Sequence, residues 1–101
     1  MKHGMKREDF IFTIGYSGMT AVVDAAGRKR YGKLTPDQLL EKGLYRSAFA
    51  AAVYDDDQER LQRFVGDFRE KTSIQVESVD QVRRLFGVYT VPQGISRVIL
   101  V

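Results

Sequence analysis

The tetrapeptide Thr35-Pro36-Asp37-Gln38 divides the chain into two kinds of sequence. Thr35 suits a helix N-cap, Pro36 the first helical position, and Gln38 completes a capping box. Before this point the chain reads as β-structure, and after it as a run of helices closed by one strand. Strands and helices segregated in this way imply an α+β fold. The chain has 101 residues, 44% of them hydrophobic and 29% charged, which fits one globular domain with a modest core, here 1–101. Residues 1–8 read as a flexible, partly basic tail.

In the first third, Phe10, Phe12, Ile14 and Tyr16 alternate with Ile11, Thr13 and Gly15, the period of a strand. Ser17-Gly18 signals a turn and Thr20–Val23 a second, β-branched strand. Asp24-Ala25-Ala26-Gly27 reads as another turn, with Gly27 suited to positive φ, and Arg28–Tyr31 as a third strand. The expected unit is a three-stranded antiparallel meander.

Three or four helices follow, expected to cover one face of that sheet. The first runs to about Lys42 and is stopped by Gly43 in the C′ position. The next segment, LYRSAFAAAVY, is a thin helix, with four alanines between 48 and 52. Asp55-Asp56-Asp57 opens a third helix, in which Leu61, Phe64, Val65 and Phe68 form an apolar face at i, i+3, i+4 and i+7. Ser78 caps a fourth through Val79, Val82, Leu85 and Phe86, stopped by Gly87. Ile95–Val101 then reads as a strand returning to the sheet. Its apolar end, Val98–Val101, needs cover from the sheet or from a partner, by strand pairing between two copies.

Most catalytic chemistry lacks its residues. No cysteine is present, which removes disulfides, thiolate metal sites and cysteine nucleophiles, and suits a reducing compartment. Gly15-Tyr16-Ser17-Gly18 misses the nucleophile elbow, because Met19 stands where the last glycine belongs, and His3 is the only histidine. Counted from Asp55, a calcium loop would need glycine at Arg60 and a carboxylate at Gly66. The three aspartates read instead as complements of a helix dipole. No phosphate-binding glycine loop occurs. A helix-turn-helix over 78–101 meets Pro92 and Gly94 where a recognition helix would lie. No cofactor and no metal site are expected. Without a secretory signal or a membrane-length apolar run, the reading is a cytoplasmic protein that engages no membrane.

Charge is the remaining lead. Residues 1–33 hold seven Lys/Arg against three Asp/Glu, while 34–72 hold six against eight. The basic excess concentrates in GRKRYGK, residues 27–33. If 28–31 were a strand, Arg28 and Arg30 would point outward and Tyr31 toward the core. The leading expectation is a non-enzymatic binding module for nucleic acid or another polyanion, through Lys6, Arg7, Arg28, Lys29, Arg30 and Lys33. The alternative is a protein-interaction or oligomeric regulatory domain. It would use the Ile95–Val101 strand for self-association, together with the alanine-rich helix.

Overall fold

The computed structural model describes residues 5–101. The described elements are six helices and three strands, an α+β arrangement. In chain order they are α1 (Arg7–Ile11), β1 (Thr13–Ser17), β2 (Thr20–Val23), α2 (Ala25–Tyr31), α3 (Pro36–Glu41), α4 (Tyr45–Tyr54), α5 (Gln58–Thr72), α6 (Val79–Phe86) and β3 (Arg97–Leu100). Of the expected tail 1–8, residues 1–4 lie outside the described residues. Met5 is buried and Arg7 opens a helix.

The sheet is mixed, in the order β1-β2-β3. β1 and β2 form an antiparallel hairpin, tightened by Gly18 at φ +59°. β3 runs parallel to β2, with Ala21 beside Val98 and Val22 beside Ile99. The expected all-antiparallel meander is therefore corrected, and the helix count exceeds the three or four expected. A parallel return needs a crossover, and α2–α6 form it.

Two segments read as strand are helical, each for an identifiable reason. Phe10, Ile11 and Phe12 are all buried in succession. A strand shows one side chain in two to a single covering layer. A helical turn can bury three neighbours, and α1 does so with Glu8 and Asp9 in its first turn. Arg28–Tyr31 belongs to α2 because Asp24 is an N-cap, not a turn residue: its carboxylate accepts the Gly27 amide at 3.2 Å. Gly27 is thus inside a helix, and its φ is not positive. Its lack of a side chain serves a close approach, since a Cβ there would lie 2.7 Å from Phe12 Cδ1 and 2.8 Å from Asp24 Oδ2.

The later helices follow their caps. Thr35 Oγ1 accepts the Gln38 amide at 3.2 Å, and Gln38 Oε1 accepts the Thr35 amide at 2.9 Å. Gly43 and Gly87 stop α3 and α6 with φ of +77° and +69°. In α4, Ala48 through Ala52 are all buried, so this helix is covered on every side. Phe49 meets Phe64 and Phe86 at ring separations of 5.3 and 6.0 Å. The α5 face Leu61, Phe64, Val65 and Phe68 is buried as its spacing implies. Leu85, expected on the apolar face of α6, is exposed instead. After Gly87 the chain forms no second helix, so no helix-turn-helix exists there. Among the described residues no helix is long and apolar enough to cross a membrane.

The Gly27 contact gives a prediction with a definite sign. On helix propensity alone, Gly27→Ala should stabilise by about 1 kcal/mol. The crowding against Phe12 reverses this, and we expect a net loss of about 1–2 kcal/mol in urea unfolding. A more stable variant would disprove the close approach.

Candidate functional site

The six cations singled out in the sequence have different fates. Arg7 donates from Nε and Nη2 to the two carboxylate oxygens of Asp55, at 3.0 and 3.2 Å, and from Nη1 to the Leu34 carbonyl at 3.0 Å. Arg28 pairs through Nε with Asp9, a carboxylate buried beneath α2. A buried charge needs a partner, so Arg28 serves the fold. Arg7 likewise ties α1 to the end of α4.

Lys6, Lys29, Arg30 and Lys33 remain exposed and, among the described residues, make no ion pair. Tyr31 is half-buried and stacks on Phe12, with ring centroids 6.5 Å apart. The expectation of Tyr31 turned toward the core holds in that sense, although a helix and not a strand places it. Its outer surface carries two cations: Arg30 Cζ and Lys42 Nζ each lie 5.9 Å from the ring centroid. Lys42 was invisible as a member of this group, because only the packing of α3 beside α2 brings it to Tyr31. The patch that survives is Arg30 and Lys42 at the Tyr31 ring, with Lys29 and Lys33 exposed close by in sequence.

The aspartate run divides its work three ways. Asp55 holds Arg7. Asp57 caps α5 by accepting the Arg60 amide at 3.0 Å, at the helix start that the run marks in the sequence. Asp56 takes a left-handed conformation, φ +54°, and receives a hydrogen bond from Gln58 Nε2 at 3.2 Å. No group of three or more His, Cys, Asp or Glu among the described residues could hold a metal ion.

The second surface is the sheet edge. β3 is hydrogen-bonded into the sheet, with the Val101 amide on the Val23 carbonyl at 2.9 Å and the Ala25 amide on the Val101 carbonyl at 3.1 Å. Its side chains are nevertheless uncovered: Val98 and Ile99 are each 38% exposed, Leu100 50% and Val101 65%. Ile14 and Met19, on and beside β1, are more than half exposed as well. The helices shield Thr13, Ala21 and Val23 on the first two strands and stop short of the third. Joining the sheet therefore does not bury the apolar end, contrary to the simplest expectation.

No protein-family model, curated protein or solved structure matches the chain.

The division between structural and free cations can be measured. Arg28→Ala strands the Asp9 carboxylate and should cost about 2–4 kcal/mol of stability. The double variant Lys29→Glu/Arg30→Glu should stay within about 0.5 kcal/mol of the parent, as exposed surface changes do. Equal losses in thermal unfolding would contradict the assignment.

Proposed function

We propose that the chain is a small non-enzymatic binding module that joins a second copy of itself along the free edge of β3. One observation carries this: a strand with one edge unpaired whose apolar residues Val98, Ile99 and Leu100 are exposed, as is Val101 after it. Solvated lysines are ordinary on a protein surface. An apolar edge strand whose single charge, Arg97, stands at its start, with no proline or bulge along it, is not.

The strand's geometry selects the pairing. Arg97 and Val101 direct their amides toward the β2 side, onto the carbonyls of Met19, just before β2, and of Val23. By alternation, the N–H and C=O groups of Val98 and Leu100 point to the free edge. An antiparallel partner with a two-fold axis at Ile99 sets Val98 of one copy against Leu100 of the other as a hydrogen-bonded pair. Ile99 then meets its own counterpart, and the surface complements itself, as a two-fold interface must. The same arrangement puts the two Arg97 side chains at opposite ends, where a parallel pairing would set them side by side. The result is one continuous six-stranded sheet.

Sedimentation over a concentration series should show a reversible monomer–dimer equilibrium. Ile99→Lys places two like charges across the axis and should shift the midpoint at least about tenfold upward, which corresponds to 1.4 kcal/mol. A monomer at all concentrations, or a variant that assembles as well as the parent, would count against this reading.

The unpaired cations favour a second reading, nucleic-acid binding at α2. Lys29, Arg30, Lys33 and Lys42 lack carboxylate partners among the described residues, and Tyr31 offers an aromatic surface between two of them. Four phosphate contacts give log K against log salt a slope of roughly −3 to −4. Lys29→Glu/Arg30→Glu/Lys33→Glu should abolish most of that slope in oligonucleotide anisotropy titrations. A flat salt response in the parent removes the reading.

A further inference from the structure

A cleft of about 260 Å³ opens between the start of α5, the body of α6 and the loop that leads to β3. It is separate from both the sheet edge and the α2 patch. Val53, Leu61 and Val91 provide apolar lining, and Leu61 and Val91 are buried. Asp56 and Arg83 bring opposite charges to the same cleft. We infer that this cleft is a binding site for a small zwitterion, an α-amino acid with an apolar side chain.

Asp56 is the group whose position the fold leaves least explained. Its backbone closes α4: the Asp56 amide bonds to the Val53 carbonyl at 3.1 Å, and the Asp57 amide to the Ala52 carbonyl at 3.2 Å. This is the Schellman pattern, and its left-handed position is usually glycine. A carboxylate there is less favourable than glycine for the turn itself. The side chain receives only the Gln58 amide group, and among the described residues no cation pairs with it. Its two neighbours in the run are committed to Arg7 and to the α5 cap. Asp56 retains the capacity to accept hydrogen bonds from an ammonium group.

Arg83 is the complementary group. Nη1 donates to the Tyr89 carbonyl, and Nε lies 3.8 Å from Asp80 Oδ1. These contacts orient the guanidinium while its Nη2 makes no hydrogen bond among the described residues. A held guanidinium with donors to spare suits a carboxylate. The cleft volume suits a molecule the size of a small amino acid, and the apolar lining would receive its side chain.

The test uses the whole chain and L-valine as probe, followed by amide chemical-shift titration to about 10 mM, which registers a millimolar site. N-acetyl-L-valine and L-valine methyl ester each lack one of the two charges. The expected result is a saturable shift at Asp56, Gln58 and Tyr89–Gln93, with both blocked analogues at least about tenfold weaker, given the strength of charged hydrogen bonds. Asp56→Asn keeps the shape and tolerates the left-handed backbone, and should weaken valine by a similar factor. Arg83→Gln should do the same. The inference fails if valine leaves these amides unmoved, if a blocked analogue binds as well as valine, or if Asp56→Asn binds as the parent does.

Discussion

The structure depends on the thinness of α4. Four alanines and Phe49 form its buried stretch, and no charged residue interrupts them. Small side chains let α1, α3 and α5 approach this helix closely, and Phe49 fills the space that remains, against Phe64 and Phe86. A larger residue at Ala50 or Ala51 would have to push a whole element aside, because close-packed interiors hold no spare volume. One cation then ties the helical body to the sheet. Arg46, on α4, donates to the Phe86 carbonyl at 3.2 Å and to the Thr13 carbonyl at 2.9 Å. The end of α6 and the start of β1 are held by a single side chain.

What could be read in the sequence was local. The caps at Thr35, within Asp55–Asp57 and at Ser78, the glycine stops at 43 and 87, and the apolar face of α5 all act within a few residues of themselves. The structure reproduces each of them. The first third misled for the same reason. Alternation over Phe10–Tyr16 is real, but it cannot distinguish one-sided burial from burial of three neighbours by a surrounding body. Asp24-x-x-Gly27 has the composition of a turn and of a helix start alike, and α2, at seven residues, is too short to show a helical period.

The candidate surfaces were less legible because their partners are distant in sequence. Nothing near Arg28 reveals that Asp9 lies buried beneath it, nor that Arg7 will reach Asp55. Both ion pairs follow from how α1 is seated, and the sequence of α1 has the pattern of a tail running into a strand. Counting basic residues therefore overstated the free charge of the N-terminal third. The apolar end of β3 was visible as composition. Its exposure was not, since that depends on where the helical layer stops.

The place of β3 beside β2 has a consequence for when its surface exists. Roughly seventy residues separate the two strands, and closing a free loop of that length costs several kcal/mol of chain entropy. Four paired residues on an exposed edge return too little to meet that cost. The helices must first draw the loop together, so the edge is assembled only on a body that is already packed. A partly folded chain cannot present β3 in register, and neighbours in a crowded solution meet an ordered edge only once the core beneath it has set.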